Sequence, residues 1–266
     1  MTEMTMSGVL DAMDGTAAGL TAPVPENWTQ GRTAYGGFSS ALLLAAARHE
    51  RPDLPPLRSA LINFTGPVGD PPLLTSQVLR QGRNVTTIQA RADIAGKTAA
   101  LGTFSFGASQ VSEISQGCPA KNAPAPEDTE PFIPAHVKRG PVAFFRNFDT
   151  RLIEGARPIT GADRGYARVW SRHRDPAMHN RIEGLLSIAD VLPPAVFPML
   201  RTPGPNSSMN WICNFLTDEP RTRDGWWMIE TDLTAAQGGY SSQVMRVWNS
   251  DGELVVDGMQ AVVIFV

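Results

Sequence analysis

Two polar residues stand in stretches of this chain that otherwise read as core. Asp190 closes the run Leu185-Leu-Ser-Ile-Ala-Asp190, on a helix whose neighbouring residues are apolar. Burying a carboxylate in such a place costs roughly several kcal/mol unless hydrogen bonds compensate it. Two readings stand: a general base, able to take a proton from water or substrate, or an acid that reaches solvent as the helix stops before Pro193. The helix macrodipole opposes the second, because an acid near a helix C-terminus is mildly unfavourable. Gln260 lies within Asp257-Gly-Met-Gln-Ala-Val-Val-Ile-Phe-Val266, where a strand amide is either an outward-facing polar residue or part of a retained polar site. Gly36-Gly37 precedes an Ala/Leu-rich helix. The pair allows close backbone packing, or it leaves free N–H groups at the helix start to bind a carbonyl oxygen or an anion.

Other chemistries find little support. No Gly-x-Gly-x-x-Gly or Gly-x-x-x-x-Gly-Lys-Ser/Thr opens a helix, which argues against dinucleotide binding and nucleotide hydrolysis. There is no Gly-x-Ser-x-Gly elbow for a serine nucleophile. His173 and His179 fall in an expected loop without a cysteine or acid at metal spacing, and Cys213 reads as a buried, inert thiol. A formal charge of −3 over 266 residues disfavours nucleic-acid binding. The two cysteines suggest a reducing compartment, so the cytoplasm is expected. The N-terminus reads as neither a signal peptide nor a membrane span.

The elements that must position Asp190, Gln260 and the glycine pair are themselves repeated. Gly82, Gly96 and Gly102 recur at one constant spacing as Gly238, Gly252 and Gly258, and Leu61-Ile-Asn-Phe64 is echoed by Ile212-Cys-Asn-Phe215. The same spacing sets Phe104 against Gln260. In the first half, a helix from Gly36 to about Arg48 is apolar nearly all round, and strands follow at about 58–66, 72–80, 84–94 and 98–106. In the second, a strand near 165–172 precedes a helix from about Arg181 to Asp190, with strands at about 208–217, 226–234, 239–248 and 254–265. Between them, Pro119, Pro124, Pro126, Pro131, Pro134 and Pro141 mark an irregular linker. A helix apolar on most faces needs a sheet curled around it. The expected fold class is therefore α+β: a double hot-dog with two tandem units, each a long buried helix wrapped by a curled antiparallel sheet. The units span 1–110 and 142–266, with the linker at 111–141.

Taken together, the pieces resemble the acyl-CoA thioesterase II family of double hot-dog enzymes. The resemblance is carried by Gly31-Arg-Thr-Ala-Tyr-Gly-Gly37, Leu79-Arg-Gln-Gly-Arg83, Arg168-Val-Trp-Ser-Arg172, Ser187-Ile-Ala-Asp190, Ser207-Ser-Met-Asn-Trp211 and Asp251-Gly-Glu-Leu-Val-Val-Asp-Gly-Met-Gln260, in that order and spacing. It implies catalytic roles for Asp190, Ser208 and Gln260, with Ser207 as the alternative if the strand slips by one. These groups would hold a water that attacks a thioester carbonyl, while backbone N–H groups at Gly36 and Gly37 meet the oxyanion. Two departures are visible: Tyr35 stands where the family often has His, and Asn210 where it often has an acid. Tyr35 is expected at the substrate pocket, closing it against long acyl chains. Arg80 and Arg83 read as a solvated hairpin tip more readily than as contacts to phosphate. The resemblance implies an acyl-CoA or similar thioester as partner, no metal or redox cofactor, and a chain able to pair further into a homo-oligomer. A non-catalytic acyl-binding protein and an enoyl thioester hydratase on the same scaffold are the alternatives.

Overall fold

Among the described residues of this computed structural model, thirteen strands form one antiparallel sheet, and their order repeats from the centre towards either edge. The structure describes residues 3–137 and 142–265. Met1, Thr2, Val266 and positions 138–141, which include Pro141 of the expected linker, lie outside the described residues.

The first half contains α1 (Met6–Asp11), β1 (Asp14–Thr16), β2 (Gly19–Thr21), the small pair β3 (Thr29–Gln30) and β4 (Thr33–Ala34), and α2 (Gly36–Glu50). Four long strands follow: β5 (Leu57–Phe64), β6 (Leu73–Gln81), β7 (Val85–Ile94) and β8 (Lys97–Gly107). Then come β9 (Glu130–Pro131), β10 (Phe148–Gly155), β11 (Tyr166–His173), α3 (Ile182–Ala189), β12 (Asn206–Phe215), β13 (Trp227–Gln237), β14 (Tyr240–Trp248) and β15 (Leu254–Ile264). From the centre outwards one wing reads β5, β8, β7, β6, β2, β1, and the other β12, β15, β14, β13, β11, β10, β9.

The wings meet where β5 pairs antiparallel with β12, and Leu61 lies directly opposite Ile212. These are the first residues of the two echoed segments, so a local twofold axis passes through that pair. One pair of the repeated turn glycines is matched in conformation as well, whereas Gly238 has a positive φ and Gly82 does not. Gly96 and Gly252 have φ of 77° and 79°, the left-handed region where a β-carbon is strained.

α2 is a fifteen-residue helix whose Phe38, Leu42, Leu43 and Leu44 are fully enclosed. Burying each of those side chains contributes about 1.5–3 kcal/mol, which compensates for a helix with no solvent-facing stripe. α3 departs from expectation. It is eight residues long rather than a long helix, with Asp190 as its C-cap, and Pro193-Pro194 prevents continuation. The two helices lie antiparallel under the sheet: Gly36 at the start of α2 meets Asp190, and Arg48 near its end meets Glu183 in the first turn of α3.

Strand β10 was not foreseen, because no strict alternation marks it. The proline-rich segment is not wholly irregular either. Pro126–Asp128 forms a 3-10 turn and β9 pairs with β10. Lys121 N–H donates to the Gly252 carbonyl at 3.0 Å, and Trp170 Nε1 donates to the Pro124 carbonyl at 2.8 Å. These bonds strap the segment over Trp170, Met228 and Trp248, a small cluster apart from the main core. No helix among the described residues is long and apolar enough to cross a membrane.

Candidate active site

Asp190 lies at the junction of the two halves. α3 ends at this residue, so its own helix offers no favourable field, but the start of α2 from the other half lies alongside. Tyr35, the N-cap of α2, makes no side-chain cap hydrogen bond, which leaves the first N–H groups of α2 for other partners. The Gly37 N–H is directed at the Asp190 carboxylate, and Gln260 Nε2 donates to Asp190 Oδ1 at 3.0 Å. Enclosure by protein pushes the carboxyl up from 3.8 to about 7, and the Gln260 and Gly37 donors hold it from rising further. A carboxylate at that value is poised to exchange a proton near neutrality.

The glycine pair is first of all a device for close approach. A β-carbon on Gly36 would lie 2.6 Å from Asp190 Oδ2, and one on Gly37 would run into the Ser187 carbonyl of α3. The Gly37 N–H, expected to meet an oxyanion, is turned towards the Asp190 carboxylate. Gly36 is the member of the pair that lines the cavity.

That cavity has a volume of about 610 Å³, and Asp190, Ser208, Gly36, Phe64, Arg32 and Val68 are among its walls. Ser208 reaches it through a bulge. Counting back from the buried Trp211, strict alternation would turn Ser208 outwards. The register of β12 on β15 slips between Ser208 and Asn210, which sets Ser208 opposite Val262, on the same inward face as Gln260. Ser207 pairs with Val263 and is exposed, though its position borders the same cavity. Asn210 is exposed opposite Asn63.

Tyr35 is not where it was expected. It is 1% exposed, its ring stacks on Phe144 at 4.0 Å, and its hydroxyl donates to the Ser187 carbonyl at 2.6 Å. It braces α2 against α3 behind Asp190 and is not among the residues lining the cavity. Its hydroxyl is held well above the usual range by burial and by the Asp190 charge. Arg80 is exposed on β6 and Arg83 in the turn that follows; neither lines this cavity. His173 is not a loop residue but the buried end of β11, with Nε2 against the Gly184 carbonyl at 2.9 Å. Burial pulls it down to about 4. Cys213 is buried, and its thiol is pushed up by that burial.

A larger cavity, about 820 Å³, lies at the opposite ends of the same two helices. Three carboxylates line it: Asp218 is paired with Arg58 and Glu219 with Arg221, while the buried one, Glu183, is held by Arg48 at 2.8 Å and by Arg181 at 3.6 Å. An acid neutralised by two guanidinium groups is a poor base. Chemistry therefore points to the smaller cavity, in spite of its size.

One buried polar residue beside Gln260 escaped the reading of the sequence. Gln243 on β14 is completely buried, accepts the Ala195 N–H on Oε1 at 2.6 Å and donates from Nε2 to Gln260 Oε1 at 3.0 Å. The available signal was a glutamine at an inward position of Tyr240-Ser-Ser-Gln-Val-Met-Arg-Val-Trp.

Comparison with known proteins follows the same division of the chain. A family model described as the acyl-CoA thioesterase C-terminal domain matches residues 117–264, and one described as the acyl-CoA thioesterase N-terminal domain matches residues 24–107. Among solved structures, a conserved hot-dog-fold protein of unknown function from Alicyclobacillus acidocaldarius superposes with a TM-score of 0.87 at 19% identity, covering 100% of this chain and 99% of that one. An acyl-CoA thioesterase II from Mycobacterium marinum superposes with a TM-score of 0.75 at 21% identity, covering 98% of each chain. The dehydratase domain of RzxB from Pseudomonas fluorescens does so with a TM-score of 0.57 at 13% identity, covering 97% of this chain and 99% of that one. At such identities the likeness establishes the hot-dog fold, which hosts more than one chemistry. No curated protein matches the chain.

Proposed function

The chain belongs to the acyl-CoA thioesterase family, and on that premise we propose that it hydrolyses an acyl-CoA thioester with Asp190 as general base. The observation that carries this reading is a cavity-lining carboxylate held near neutrality by burial, with Gln260 and Gly37 as its donors. Asp190 takes a proton from a water, whose oxygen bonds to the thioester carbonyl carbon. The Gln260 amide orients the base, and the Ser208 hydroxyl, on the cavity wall, positions the water. The developing oxyanion is met by the Gly36 N–H at the start of α2, where helix-terminal donors favour negative charge. As the tetrahedral intermediate collapses, the C–S bond breaks and the proton held by Asp190 passes to the leaving sulfur. The products are a carboxylic acid and a free thiol.

In this reading the chain is a double hot-dog of units 1–110 and 142–266 joined by 111–141, with one working site to which both units contribute. Arg32, on the cavity wall, is suited to an anionic part of the substrate. Free cysteines at 118 and 213 support a cytoplasmic location. The hydratase alternative needs a histidine beside the acid. It is disfavoured because His173 is buried against Gly184 and does not line the cavity. The deciding experiment follows CoA release from a panel of acyl-CoAs with a thiol-trapping dye. Turnover lost in Asp190→Asn supports hydrolysis; tight binding without turnover selects an acyl-binding protein instead.

A further inference from the structure

We propose that Gln243 is the positioning residue that dictates which end of the Gln260 amide faces Asp190. The inference rests on the reading of Asp190 as the base, and it goes beyond that reading to a residue outside the cavity. An amide side chain offers an N–H₂ donor at one corner and an acceptor oxygen at the other, nearly equal in shape. Against an ionised carboxylate only the donor is useful, so the amide must be prevented from turning over.

A chain of three hydrogen bonds does this. The backbone N–H of Ala195 can only donate, so Gln243 must offer it Oε1, at 2.6 Å. That leaves Gln243 Nε2 to donate to Gln260 Oε1 at 3.0 Å. Gln260 is then left with Nε2 for Asp190 Oδ1, at 3.0 Å. Ala195 lies in the turn that follows Asp190 itself, so the relay begins and ends on the same stretch of the polypeptide. Turning either amide over would place donor against donor or acceptor against acceptor, in a site where both glutamines are at most 2% exposed.

A second observation is independent of these bonds. In β14 and β15, Gln243 and Gln260 are direct cross-strand partners, and Trp211 lies beside Gln260 on β12. The matching places in the first half hold Ile88 opposite Phe104, with Ala60 beside Phe104 on β5. Ile88 and Phe104 are both completely buried. An apolar pair therefore satisfies the fold at this position. Two buried amides in its place carry a desolvation cost that packing alone does not require.

The titratable groups facing Asp190 are the Tyr35 hydroxyl at the start of α2 and the Cys213 thiol on β12, both pushed up by burial and by the Asp190 charge. Arg32 stands on the cavity wall. The test compares the full-length protein with Gln243→Met, Gln260→Met and the double variant. The ionisation midpoint of Asp190 is read by carbon NMR of labelled aspartate, and kcat/KM is read on acyl-CoA. Folding is checked by Tm. Gln243→Met is expected to raise the Asp190 midpoint by about one pH unit, a tenfold change in the ionisation equilibrium, and so to lower kcat/KM at pH 7 by about fivefold. Because Gln243 acts through Gln260, the double variant should be no worse than Gln260→Met. A folded Gln243→Met with the wild-type midpoint, or losses that add in the double variant, overturns the proposal. Should the variants fail to fold, the wild-type side-chain amide protons decide. Those of Gln260 must shift with the Asp190 midpoint, and indifference to it overturns the proposal equally. A midpoint that moves as expected in a protein that hydrolyses no acyl-CoA would leave the relay standing and remove the hydrolase reading alone.

Discussion

Gly36 and Asp190, one from each half of the chain, approach so closely that a β-carbon on the glycine would lie 2.6 Å from the carboxylate oxygen Oδ2. The first half thus offers its helix start as a seat for the acid of the second. Substituting Gly36→Ala should displace the carboxylate from Gln260 and from the Gly37 N–H. Turnover is expected to fall by on the order of a hundredfold with only a modest drop in Tm. Full activity in a folded Gly36→Ala would show that the contact does not position the base.

The pH–rate profile follows from the ionisation of Asp190. A base must be deprotonated to act, so kcat/KM should rise with pH to a midpoint near the value of about 7 and then level off. Asp190→Asn should remove this limb together with nearly all turnover. A rate already flat from pH 5 upwards would show that no base ionising near 7 governs turnover.

The same ionisation sets a stability trend. Between the unfolded value of 3.8 and the folded value of about 7, the folded chain keeps a proton that the unfolded chain has released. The contribution is fully present below 3.8, is lost as pH rises through about 7, and changes no further above it. Its size is roughly 4 kcal/mol at most. Asp190→Asn should therefore be more stable than wild type at pH 8 and much closer to it at pH 4. Parallel Tm curves for the two proteins across that range would refute the trend.

The bulge in β12 predicts different outcomes for neighbouring serines. Ser208→Ala removes a hydroxyl on the inward face and should lower kcat/KM on the order of tenfold to a hundredfold. Ser207→Ala, on the exposed face, should change it less than about threefold, within the small effect expected of a surface substitution. Steady-state kinetics of both variants at pH 8 distinguishes them, and equal losses would place the bulge elsewhere.

The repeat, the strand boundaries and the burial of α2 were legible along the chain because they are periodic. Glycines at turns with φ near +80°, alternating strands and an Ala/Leu-rich run each leave a local mark. β10 left none, whereas the bounds of α3, expected at about 181–190, agree with the observed Ile182–Ala189. At the site, Asp190 and Gln260 stood out as polar residues in apolar surroundings. Gln243 is equally buried but was passed over, because alternation names the inward position without naming the partner.

By itself, then, the sequence determined that two similar units would be built and that only the second would carry an acid and an amide in its core. Backbone propensity and hydrophobic period are local quantities and need no knowledge of neighbours. The tertiary structure alone decided what those groups touch. Antiparallel packing of α2 on α3 turned Gly37 into a donor to Asp190 and Tyr35 into a brace. One slipped residue in β12 set Ser208, and not Ser207, on the same inward face as Gln260. The direction of the Gln260 amide came from Ala195 through Gln243, since a hydrogen-bond relay has a polarity only once all its members are in place.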